Sequence, residues 1–116
     1  MTYTYKRAAT VKMERKEIQD INAALRHAGL DGNGRFKTPG HAHTTAGRVL
    51  ERYGYEFSDM LHGWDVRPDN AMLSLRVAKS TPGDPFSPVD VQNTAMAFSY
   101  TRLREDAYDV VAYLGF

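Results

Sequence analysis

The chain has no cysteine. Disulfides, thiolate zinc sites and a cysteine nucleophile are thereby excluded, and the absence is compatible with a reducing cytoplasm. No window approaches eighteen uninterrupted apolar residues, so no stretch reads as a membrane-spanning helix. The opening MTYTYKRAATVKMERK carries charges without the apolar run that a secretory leader places after them. We therefore expect a soluble, cytoplasmic chain with no membrane partner. Familiar chemical signatures are missing too: no nucleophile elbow, dinucleotide fingerprint or His-Glu-x-x-His motif occurs, and no cofactor is expected. There is no internal repeat or low-complexity tract.

What is present suits one globular domain. A chain of 116 residues sustains a single core, and 42% hydrophobic with 25% charged residues argues against disorder, so residues 1–116 are expected to form one compact unit. The net charge is only +1, but it is unevenly spread. Nine basic residues face four acidic ones up to Leu50, and six face ten thereafter. Such polarity suits docking on a partner of mixed or negative potential, provided the basic half forms a patch in space.

The coarse order of elements is legible. Tyrosine–threonine alternation in TYTYKRAATV predicts a strand. From about Lys12 to Ala28, Met13, Ile18, Ile21, Leu25 and Ala28 recur at helical spacing. Thr10 is the candidate cap of that helix, and Gly29 followed by Leu30 is its stop. A second helix carrying Val49, Leu50 and Tyr53 is expected to start at Thr44 or Thr45 and to end at Gly54. YEFSDMLHG reads as a further short turn, and WDVRPDN as a turn through Pro68, Asp69 and Asn70. Leu73, Leu75 and Val77 alternate with Ser74 and Arg76, the pattern of a half-buried strand. STPGDPFSP is a loop, and Ser87-Pro88-Val89-Asp90 resembles a helix start. In NTAMAFSYTRL, bulky Met96, Phe98 and Tyr100 alternate with Ala95, Ala97, Ser99 and Thr101, which predicts a strand with one face of small side chains. EDAYDVVAYLGF fits a strand or a helix. The expected fold is α+β: an N-terminal strand, two helices, then an antiparallel sheet of two to three further strands with both helices on one face.

Candidate sites concentrate in DGNGRFKTPGHAHTT, residues 31–45. As a calcium loop from Asp31 it fails, because Arg35 falls where an oxygen ligand is required and Ala42 where glutamate is. As a phosphate cradle it lacks a lysine after its glycines, although Arg35, Lys37 and a helix start near Thr44 would attract an anion. His41 and His43, if extended, point the same way and form half of a zinc site, but no second pair completes it, so no metal is expected. The segment reads as a mobile, positively charged connection that makes contacts.

Acidic Glu105, Asp106 and Asp109 crowd a turn, where carboxylates are solvated. Tyr3, Tyr5, Lys6, Arg7, Lys12, Arg15 and Lys16, with Arg35 and Lys37, interleave aromatic and basic groups as single-strand nucleic-acid binders do. Trp64, with Tyr53, Tyr55, Phe57 and Met60, is a candidate core or interface cluster, and Phe86 projects between prolines.

These readings lead to a non-enzymatic binding module that occupies a surface of a macromolecular partner. An inhibitor of a host protein complex carried by a phage or mobile element would have this character. The expected contact residues are Tyr3, Tyr5, Lys6, Arg7, Lys12, Arg35, Lys37, His41, His43 and Phe86, with a protein or nucleoprotein complex as the partner. The alternative is a nucleic-acid binder or a small metal-independent ribonuclease using histidine with lysine or arginine. Strand–helix–helix–strands is also the element order of ribonuclease toxins, but that analogy is of fold alone, since no residue motif matches.

Overall fold

The computed structural model describes residues 10–58, 69–80 and 89–115. Along the chain run β1 (Thr10–Lys12), α1 (Arg15–His27), α2 (Pro39–Arg52), β2 (Tyr55–Ser58), β3 (Asn70–Lys79), β4 (Val89–Arg104) and β5 (Ala107–Gly115). These five strands form one sheet that curls into a half-barrel. β2 pairs with β3 and β3 with β4, both antiparallel. The other edge of β4 is shared: β1 runs parallel to Asp90–Gln92, and β5 runs antiparallel to Ala95–Arg104.

The α+β class and element order agree with the sequence, but strand number and pairing need correction. Four strands, not two to three, follow α2 among the described residues, and β1 joins the sheet parallel to β4. The missed strand is β2, expected as a turn. Its four residues are too few to establish a period, and their pairing with Arg76–Lys79 is a tertiary event. The ambiguous C-terminal segment is a strand, zipped to β4 from Arg104–Ala107 to Ala95–Gly115 around a turn made by Glu105 and Asp106.

One face of the sheet is covered by both helices. Ile18, Ile21 and Leu25 of α1 are buried, as are Ala42, Ala46, Val49 and Leu50 of α2. They meet Leu73, Leu75 and Val77 of β3, Met96, Phe98 and Tyr100 of β4, and Val110, Ala112 and Leu114 of β5. Each fully buried side chain of leucine size contributes roughly 1.5–3 kcal/mol. An aromatic ladder threads this core edge to face, from Phe57 through His43, Phe98 and Tyr100 to Tyr108.

Helix starts differ from expectation. Thr10 lies in β1, and the cap position of α1 is Glu14, which makes no side-chain capping bond. The C-terminus is as read: Gly29 takes a φ of +94°, and buried Leu30 donates its N–H back to Leu25 O at 3.1 Å. α2 begins at Pro39, with the Thr38 Oγ1 accepting the His41 N–H at 3.2 Å. Thr44 and Thr45 are therefore interior, and their hydroxyls donate to the Gly40 and His41 carbonyls.

Candidate functional site

The glycine-rich segment after α1 is held, not loose. It lies along the outer edge of β5 as an irregular extra strand. Ala112 N–H donates to Leu30 O (3.2 Å), Gly32 N–H to Val110 O (3.0 Å), and Tyr108 N–H to Phe36 O (2.8 Å). Isolated bridges pair Asp31 with Val111 and Phe36 with Tyr108. The expected mobile connection is thus corrected to an edge-sealing strap. Its glycines permit this course: Gly32 and Gly34 have φ of +83° and +68°, values that side chains rarely tolerate. A Cβ on Gly34 would meet Leu103 Cδ1 at 3.1 Å. Asn22 of α1 completes the seal. Its side-chain amide donates to Leu114 O (3.1 Å) and accepts the Leu114 N–H (2.6 Å).

The histidine pair dissolves as a metal site. His41 and His43 sit on α2, where residues two apart point about 200° away from each other. His41 is exposed and edge-on to Phe36, with centroids 5.6 Å apart. His43 is half-buried, 4.5 Å from the Phe57 centroid and 5.9 Å from that of Phe98. Among the described residues no group of three His, Asp or Glu is placed to hold a metal ion.

The strap displays Arg35 and Lys37 on either side of buried Phe36. Both are exposed, and neither joins an ion pair among the described residues, where Arg76–Asp90 (2.6 Å), Arg102–Asp69 (3.1 Å) and Arg104–Asp106 (3.4 Å) do. Hydrogen bonding to Asp69 holds the Arg102 guanidinium more firmly protonated still.

Lys12 is exposed but remote from the strap. It pairs with Gln92, whereas Phe36 lies across Tyr108 from Arg102. Ten residues of β4, roughly 30 Å, separate the two positions. Among the described residues, Lys12 and the strap cations Arg35 and Lys37 therefore do not form one patch. Tyr3, Tyr5, Lys6, Arg7 and Phe86 lie outside the described residues, as do Trp64, Met60, Ser87 and Pro88, while Val89 and Asp90 of the expected helix start open β4 as strand.

Two features escaped the sequence reading. Arg48 and Arg52, one helical turn apart on α2, line a shallow groove with Thr45 and Ala28 at the end of α1. The second feature is the sheet face turned away from the helices. There β4 offers Ala95, Ala97, Ser99 and Thr101 as a floor of small side chains. Met72 of β3 and Tyr113 of β5 stand on either side, 82% and 51% exposed. The Ala/Ser alternation was visible in the sequence, but which flanking strands would wall it was not. Where the edge partner of β4 changes from β1 to β5, a hollow of about 830 Å³ opens beside the Arg76–Asp90 pair.

At the start of β2, Tyr55 is buried and its hydroxyl bonds to Glu17 of α1. Burial, then the Glu17 carboxylate, push its pKa well above the ordinary tyrosine value. Compared with known proteins, the chain matches no family model, no curated protein and no solved structure.

Proposed function

We propose that the protein is a non-enzymatic binding module that docks a basic rim, formed by Arg35, Lys37 and His41, on an acidic surface of a macromolecular partner. The observation that carries this reading is the alternation on the strap. Phe36 is anchored in the core, and its neighbours Arg35 and Lys37 are exposed on a backbone tied to β5, with the Arg35 side chain lying back over Gly29. Cations on a fixed backbone lose less conformational freedom on docking than cations on a loose loop, and those without an internal ion pair have none to give up. Long-range attraction would speed association, and occupancy alone would block competing ligands of the same surface. Inhibitors act in this way.

The test compares the wild type with Arg35→Glu/Lys37→Glu as bait in affinity capture from the native host. Partners retained by the wild type and lost by the double variant, with binding that weakens as salt rises, support the proposal. Equal capture by both proteins overturns it. A salt-dependent affinity of the wild type for generic oligonucleotides, lost in the same variant, moves the partner class to nucleic acid.

A further inference from the structure

The geometry points to a second copy of this chain as the occupant of the sheet face that no described element covers, in a weak two-fold dimer whose axis runs along β4. Four cross-strand rows make up that face: Asn70–Thr101–Asp109, Met72–Ser99–Val111, Ser74–Ala97–Tyr113 and Arg76–Ala95–Gly115. The two-fold axis lays β3 of one copy over β5 of the other while β4 stacks on β4. Each row then meets itself reversed. The Tyr113 ring leans over Gly115 of its own strand and so lies between Ser74 and Arg76 of the second copy, and Met72 meets Val111. The Asn70 amide reaches the Asp109 carboxylate. Along the axis Ala95, Ala97, Ser99 and Thr101 meet their own counterparts, and small side chains there allow the two sheets to approach closely.

A two-fold axis across the strands at the Ser74–Ala97–Tyr113 row does worse. It sets Tyr113 against Tyr113 and Met72 against Arg76, placing bulk on bulk and an apolar side chain on a cation. In the favoured arrangement the charged groups, Arg76 and Asp109, lie in the two end rows, and the middle rows are uncharged. That is the polar rim and apolar centre of a protein interface. Size sets the strength. Three strands about 4.8 Å apart, over the seven residues 95–101, cover about 15 × 24 Å in each copy. With side-chain relief, dimerisation removes roughly 1,000 Å² in total, the threshold for a specific interface, so association is weak and concentration-dependent.

Sedimentation of the full chain over a wide concentration range reads this directly, from a 13.1 kDa monomer toward twice that mass. Ala97→Arg places a cation on the axis and should leave a monomer at every concentration. Met72→Lys provides the same test at a side chain too exposed to matter for folding. Because the chain has no cysteine, single-cysteine variants report the register. With a bis-maleimide matched to the roughly 10 Å between packed sheets, Ala95→Cys and Thr101→Cys should each link to themselves, and Arg48→Cys on the helical side should not. A wild type that stays monomeric at millimolar concentration overturns the proposal. So does a dimer that survives both Ala97→Arg and Met72→Lys, or cross-linking no stronger at Ala95→Cys and Thr101→Cys than at Arg48→Cys.

Discussion

The side-chain amide of Asn22 and the backbone of Leu114 form a closed pair: one donates, the other accepts, and each does both, at 3.1 and 2.6 Å. Asn22 thereby stands in for a neighbouring strand at the far end of β5. With the strap bonds at Tyr108, Val110 and Ala112, it seals an edge that would otherwise invite strand addition. Asn22→Ala leaves a backbone N–H and C=O without these partners, a loss of about 1–3 kcal/mol. For a domain near this size, each kcal/mol lowers Tm by roughly 4–8 °C, which thermal unfolding resolves. Asn22→Asp should be nearly as damaging, since a carboxylate still accepts the Leu114 N–H but repels its carbonyl. A Tm unchanged by both would show that the edge needs no such partner.

Gly34 tests the strap from the other side. At φ +68°, any side chain costs about 1–2 kcal/mol, and its Cβ would also press on Leu103. Gly34→Ala should therefore destabilise by more than the backbone strain alone. Adding Leu103→Ala relieves only the steric share, so Gly34→Ala should lower the urea midpoint less in a Leu103→Ala background than in the wild type.

Much of this architecture was written in local patterns. The apolar spacing of α1, its Gly29–Leu30 stop, and the strict alternations of β3 and β4 depend on neighbours close in sequence. The strap was not legible, because a glycine-rich stretch has no strand propensity of its own and takes its extended course from β5, more than seventy residues away. The start of α2 was misplaced for a different reason. Thr38-Pro39 is the same hydroxyl-then-proline signal noted at Ser87-Pro88, but residues 31–45 read as one connection, with the helix starting only at Thr44 or Thr45. That single misplacement turned His41 and His43 from residues pointing apart on a helix into an apparent ligand pair.

The strap's alternation predicts a sharp contrast between adjacent positions. Phe36 is 4% exposed, so Phe36→Ala removes a buried ring and should cost about 3–5 kcal/mol. Lys37→Ala, at an exposed neighbour without an ion pair among the described residues, should change stability by no more than about 0.5 kcal/mol. Amide exchange would localise the first effect: protection at Tyr108, Gly32 and Ala112 should fall in Phe36→Ala and persist in Lys37→Ala. Equal protection in both would show that the strap is fixed by its backbone bonds alone.

Tyr55 gives the fold a specific weakness at alkaline pH. In the unfolded chain it ionises near pH 10, whereas burial and the Glu17 carboxylate keep it protonated to higher pH in the native state. Between those two values the unfolded chain holds one proton fewer. Raising the pH then favours unfolding, by up to about 1.4 kcal/mol per pH unit for this one group. Below the unfolded value both states are protonated and the contribution is constant. Tyr55→Phe removes the ionisation along with the hydroxyl bond to Glu17, while the other tyrosines and the lysines titrate alike in both proteins. The wild type should therefore be the more stable at neutral pH, and its advantage should shrink as the pH passes about 10. Urea unfolding of the two proteins side by side measures that difference. An advantage independent of pH would mean that Tyr55 ionises as freely in the native state as in the unfolded chain.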